Sequence, residues 1–120
     1  MRGRMRAELI DRTPGRFDLK QGPGGIADIE FMVQYSVLRW AHEYPDLLDF
    51  TDNIRLLEGL SRNRLLGGAM AEELANAYRT FRAAYHRNAL QDQPGLVADD
   101  QLTDERRIVA EFWQDLMEPG

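Results

Sequence analysis

Residues 17–34 read FDLKQGPGGIADIEFMVQ, and they decide how the rest of the chain is parsed. Phe17-Asp18-Leu19-Lys20 alternates briefly and is expected to be extended. Gln21-Gly22-Pro23-Gly24-Gly25 follows, with three glycines in four positions, and marks a loop. From Ile26 to about His42 there is neither Gly nor Pro, so the loop feeds directly into a helix. At about 100° per residue, Ile26, Ile29, Val33, Val37 and Trp40 share one face. Phe31 and Leu38 fall on another, and Met32 on a third. A helix apolar on several sides is expected to be central, with neighbours packed around it.

Working outward, the flanking sequence is helical too. Met1, Met5 and Leu9 recur at i, i+4, i+8 and predict a narrow amphipathic stripe, broken by Thr13-Pro14-Gly15. Tyr44-Pro45 ends the central helix. Thr51 is the expected N-cap of the next, with Asp52 in its first turn and Ile54, Leu57 and Leu60 as its buried stripe. Leu65-Leu66-Gly67-Gly68 closes it. A long helix runs from about Ala69 to Leu90, with Met70, Leu74, Tyr78, Phe81 and Tyr85 inward, until Gln93-Pro94-Gly95 stops it. Thr103 is the expected cap of a last helix that turns Ile108, Phe112, Trp113 and Leu116 inward. No segment has sheet-forming periodicity. The expected fold is all-α: one bundle of four to five helices over residues 1–120, with a glycine-rich loop before the central helix.

Composition narrows the function. The 120 residues are 43% hydrophobic and 29% charged, with a net charge of −5 and no cysteine. A general nucleic-acid binder needs a basic face, which this balance argues against. The absence of cysteine excludes disulfides, thiolate chemistry and Cys-based zinc sites, and fits a reducing cytoplasm. The most apolar stretch, Ile26 to Ala41, carries Asp28, Glu30 and Arg39 and is too short and too charged to span a bilayer. A soluble, cytoplasmic protein without membrane or nucleic-acid partners is expected.

The loop and helix hold the candidate site. Glycines let backbone approach closely, a helix N-terminus favours an anion, and Lys20 stands at the head of the loop. Lys20, Gly22, Gly24 and Gly25 are therefore candidates for contact with a phosphate or carboxylate, although a tight structural turn has the same pattern. Neither a P-loop nor a dinucleotide GxGxxG fingerprint is present. Asp28 and Glu30 suggest a metal pair, but two helical positions apart they diverge by about 200° and cannot chelate one ion. Asp28, Glu30 and Gln34 are instead expected to form a structural polar network, with Arg55, Arg62, Arg79 or Arg82 as donors to Glu30. His42 and His86 are expected at the surface. No catalytic constellation and no metal ligand set is visible.

The run Lys20-x-Gly22-Pro23-Gly24-Gly25-Ile26-x-Asp28-Ile29-Glu30-Phe31-x-Val33-Gln34 strongly resembles the signature of glutamine synthetase adenylyltransferases. Thr51-Asp52-Asn53-Ile54-Arg55-Leu56-Leu57, the Ala77-Tyr78, Arg82, His86 spacing, and Val109 to Trp113 extend the resemblance over essentially the whole chain. Ala27, between Ile26 and Asp28, is similar to the C-terminal half of that family. The resemblance implies a helical domain following a nucleotidyltransferase core that is absent from this chain. It also implies an activity of the whole enzyme: Mg-dependent transfer of AMP from ATP to a tyrosine of glutamine synthetase. Implied partners are glutamine synthetase, the PII signal protein and the enzyme's own core. The core's Gly-Ser and D-x-D metal-binding elements have no counterpart here, so the chain by itself is expected to be non-catalytic, with no cofactor of its own. Two alternatives remain: a non-enzymatic docking module for PII or a glutamine signal, and the helical domain of a PII uridylyltransferase. The latter has a similar glycine segment but lacks the continuation seen at Glu30 to Gln34.

Overall fold

The computed structural model describes residues 14–118. The expected stripe over Met1, Met5 and Leu9 lies outside them. Four helices carry the fold: α1 Ile26–Trp40, α2 Asn53–Arg62, α3 Gly68–Leu90 and α4 Thr103–Met117. A short 3-10 turn, Pro45–Leu48, links α1 to α2.

The helical bundle also carries a small sheet, which the sequence did not announce. Strand β1, Arg16–Asp18, pairs antiparallel with β2, Leu96–Ala98, in the register Arg16 to Ala98, Phe17 to Val97 and Asp18 to Leu96. Two further backbone bonds extend the ladder: Leu19 N–H to the Gly95 carbonyl and Asp99 N–H to the Gly15 carbonyl, both 2.9 Å. The brief alternation from Phe17 to Lys20 marks β1 as extended, but Leu96–Ala98 is too short for any alternation to reveal its partner. The effect of the pair is positional, because the ladder sets the approach to α1 beside the approach to α4.

Helix α1 is central, touching α2, α3, α4 and the 3-10 turn. Ile29, Met32 and Val33 are all at most 1% exposed, and they meet Leu57, Leu60, Leu74, Phe81 and Val109 in one core. Burying side chains of this size contributes about 1.5–3 kcal/mol each. The expectation that neighbours surround α1 is corrected on one side: Phe31 is 57% and Leu38 80% exposed. Along α3 much of the buried surface comes from Ala71, Ala75, Ala77 and Ala84 beside Leu74 and Phe81, while Met70, Tyr78 and Tyr85 are half-buried. On α4 the fully buried residues are Val109 and Trp113.

Two caps shift by one position. The side chain of Asp52, not Thr51, caps α2, accepting from Arg55 N–H at 2.9 Å. Leu102 rather than Thr103 is the cap residue of α4, in the left-handed region at φ +56° with no side-chain cap bond. That conformation is costly for leucine; packing of its half-buried side chain against the core offsets it.

Replacing Val33, 1% exposed, with Asp sets an unpaired charge in this core. We expect Val33→Asp to cost more than about 4 kcal/mol and to abolish the cooperative circular-dichroism melt. An unchanged melt would mean that α1 is peripheral.

Candidate functional site

The segment between β1 and α1 is closed by its own hydrogen bonds. The Asp18 carboxylate accepts from Lys20 and Gln21 N–H, both at 3.0 Å, and the Asp18 carbonyl accepts from Gly22 N–H at 2.9 Å. Gly25 N–H donates to the Gly22 carbonyl, Ile26 N–H to Leu19 and Ala27 N–H to Lys20, each at 2.9 Å. Gly24 N–H donates at 2.8 Å to a carboxylate oxygen of Asp28, a residue only 2% exposed. The amides of residues 24–27 are thus already engaged inside the chain, among them those of Gly24 and Gly25 that the sequence offers as anion donors. Gly25 is the N-cap residue of α1, with no side-chain cap bond; the folded-back loop caps the helix instead.

Close packing accounts for the glycines. A Cβ on Gly24, at φ +83°, would lie 2.5 Å from the Arg106 carbonyl oxygen. On Gly22 it would lie 2.5 Å from both the Asp18 carbonyl oxygen and the Phe17 ring, and on Gly25 2.6 Å from the Leu19 carbonyl oxygen. The loop is pressed against the first turns of α4. There Arg106 stacks its guanidinium 4.0 Å from the Phe17 ring centroid and donates to the Asp99 carbonyl at 2.7 Å. Arg106 escapes sequence reasoning, since nothing in a single sequence connects it to a loop so far away. Lys20 remains exposed, and among the described residues its ammonium makes no ion pair.

The three polar residues expected to form one network are separated. Asp28 serves the loop. Glu30 turns the other way and accepts from the Tyr78 hydroxyl of α3 at 3.0 Å, so its donor is a tyrosine rather than an arginine. Tyr78 in turn accepts from the Asn53 side-chain amide of α2 at 3.1 Å. Gln34 is exposed. The two-position offset of Asp28 and Glu30 has the geometric outcome that helix periodicity requires. Burial pushes the Tyr78 phenol above its ordinary value of 10.0; the Asn53 bond opposes this and Glu30 adds to it. His42 and His86 are exposed. Among the described residues no three His, Cys, Asp or Glu side chains gather to hold a metal ion. An open cleft of about 490 Å³ lies between α2 and α3, floored by Leu57, Ala71 and Ala75 and rimmed by Glu58, Arg62 and Arg79. It does not include the glycine loop.

With the geometry in place, kinship can be added. The family model described as GlnD PII-uridylyltransferase matches residues 2–116. A protein of Nitrosococcus oceani is 50% identical over 118 residues, covering 98% of this chain and 12% of its own length. One of Pseudomonas aeruginosa is 53% identical over 100 residues, 83% of this chain and 10% of its own. A third, of Idiomarina loihiensis, is 47% identical over 118 residues, again 98% and 12%. Each is named bifunctional glutamine synthetase adenylyltransferase/adenylyl-removing enzyme. The chain therefore spans only 10 to 12% of the length of these relatives.

Two substitutions test the site's construction. Gly24→Ala forces a side chain onto the Arg106 backbone at positive φ, at a cost of about 1–3 kcal/mol or more. We expect the thermal midpoint to fall by roughly 5 °C or more; an unchanged midpoint would show that the loop is free to move off α4. Tyr78→Phe leaves Glu30 and Asn53 without their shared partner, and we expect a loss of about 1–2 kcal/mol. Because the Tyr78 pKa is raised on folding, its ionisation begins first in the unfolded chain. Stability is then full below pH 10.0 and declines as pH rises beyond it. Stability measured from pH 8 upward should show this alkaline decline weakened in Tyr78→Phe.

Proposed function

We propose a role for this chain from the premise that it belongs to the GlnD PII-uridylyltransferase family, with relatives named glutamine synthetase adenylyltransferases. It serves as the helical domain that follows a nucleotidyltransferase core and assists Mg-ATP-dependent transfer of AMP to a tyrosine of glutamine synthetase, in the cytoplasm. The core carries the chemistry. In this reading the Mg²⁺ ion and the ATP it accompanies belong with the core. The partners of the whole enzyme are then glutamine synthetase, the PII signal protein and, within the same polypeptide, the core.

The observation that carries this role is Lys20. Its ammonium is exposed and free of ion pairs among the described residues, yet its backbone is fixed on both sides, by the Asp18 turn and by the bond from Ala27. Such a cation is pre-positioned for phosphate oxygens and costs little reorganisation when they arrive. Gly22, Gly24 and Gly25 contribute by holding Lys20 in place, since their amides and space are already used. Lys20 stabilises negative charge on the ATP phosphates.

In the complete enzyme, Lys20→Ala should lower kcat by about tenfold to a thousandfold, the scale of one lost charge-stabilising donor, and raise KM for ATP less. The melting temperature should hold, because an exposed lysine contributes little to stability. As a control, the 120-residue chain alone should transfer no labelled AMP. Normal kinetics with normal stability would reduce the loop to a structural turn.

A further inference from the structure

Arg106 is placed unlike the other ion-paired arginines among the described residues. Its side chain is 22% exposed, against 59%, 57% and 60% for Arg55, Arg62 and Arg107. One guanidinium nitrogen donates to the Asp99 carbonyl at 2.7 Å and to the Gln101 carbonyl at 3.3 Å, and the other to the Asp99 carboxylate at 3.4 Å. Those acceptors lie in the connection from β2 to α4. The guanidinium carbon also stands 4.0 Å from the centroid of the Phe17 ring, which belongs to β1 and is 3% exposed. A planar cation stacks on a ring and forks to acceptors at the same time, which a lysine ammonium cannot do.

These contacts hold the turn that carries Lys20 from both sides. Before it, Phe17 adjoins Asp18, whose carboxylate accepts the Lys20 and Gln21 amides, and the same ring would lie 2.5 Å from a Cβ on Gly22. After it, the carbonyl oxygen of Arg106 would lie 2.5 Å from a Cβ on Gly24. We infer that Arg106 is the positioning residue of the Lys20 turn: the side chain and backbone of this one residue seat the turn on α4 and so fix where the ammonium stands. The inference deepens the role proposed above for Lys20 and rests on it. The turn takes its shape from its own hydrogen bonds, and Arg106 sets its place relative to the helices. Arg106 acts through Lys20 and not by a contact of its own with the nucleotide.

Arg106→Lys keeps the charge and the carbon stem but removes the planar fork, so it tests position without emptying the space that Arg106→Ala would leave. Hydrogen–deuterium exchange of the complete polypeptide, read by peptide mass, is measured over residues 18–27 and over Asn53–Arg62. In Arg106→Lys we expect exchange over 18–27 to be about tenfold faster, the scale of one charged hydrogen bond lost, with Asn53–Arg62 unchanged. Unchanged exchange over 18–27 would overturn the inference. So would an equal rise in Asn53–Arg62, which marks a general loosening of the domain. AMP transfer is measured in Lys20→Ala, in Arg106→Lys and in the double variant. Arg106→Lys should lower kcat by about tenfold, no more than Lys20→Ala does, and cause no further loss once Lys20 is replaced. Losses that multiply in the double variant would overturn the inference, because Arg106 would then act independently of Lys20. A normal kcat in Arg106→Lys beside a lowered one in Lys20→Ala would overturn it too. Normal kinetics of Lys20→Ala with faster exchange over 18–27 in Arg106→Lys would discard the phosphate role and keep the positioning, so the two failures are distinguishable.

Discussion

The bond from Gly24 N–H to the buried Asp28 carboxylate is the constraint on which the rest of the structure leans. A carboxylate at 2% exposure is tolerated only with donors in place, and one donor to this one comes from four residues upstream. The loop therefore folds back over the first turn of α1. That motion carries Gly24 against the Arg106 backbone, which fixes the distance between α1 and α4 at their beginnings. It also aligns Leu19 to receive the Ile26 amide and to donate to Gly95, so that the strand ladder and the helix start from one residue. Capping, interhelix spacing and strand register are thus three results of one closure.

The same closure changes the chemical meaning of the glycine motif. A glycine-rich loop before a helix suggests a cradle of open amides. Here residues 24–27 spend their amides internally, and the space a side chain would need at Gly22, Gly24 and Gly25 is taken by Phe17, Arg106 and Leu19. What the loop presents outward is a single cation on a stiff support. The division of labour in the proposed enzyme follows: one module supplies metal and nucleotide, while this one supplies a fixed charge.

Much of this was legible in the sequence. The start of α1 at Ile26 was visible because Gly24 and Gly25 end abruptly in an uninterrupted apolar period, and α3 because Leu74 and Phe81 mark a long stripe. The divergence of Asp28 from Glu30 followed from periodicity alone. Other features lacked a local signal. Leu96-Val97-Ala98 is too short to alternate. Alanines that pack α3 are as common on exposed helix faces as on buried ones. Asp52 and Thr51 are both good caps, and only backbone geometry decides between them. The donor to Glu30 was sought among arginines, since charge is conspicuous in a sequence; the actual donor, Tyr78, was already assigned to the core by its aromatic ring. Phe31 and Leu38 counted as apolar, hence buried, yet both are exposed, because periodicity does not say which apolar face a neighbouring helix covers.

The strand ladder has a consequence for the order in which the molecule assembles. It joins Arg16 to Ala98, on the order of eighty positions apart, whereas α2 and α3 are neighbours in sequence as well as in space. Closing a long loop costs chain entropy before any contact repays it. On these grounds local helix pairing around Leu57 and Leu74 is favoured to precede the clasp of β1 on β2. A ribosome must release the chain past Ala98 before that clasp exists at all, whereas the turn that holds Lys20, from Asp18 to Ala27, can close on its own residues much earlier.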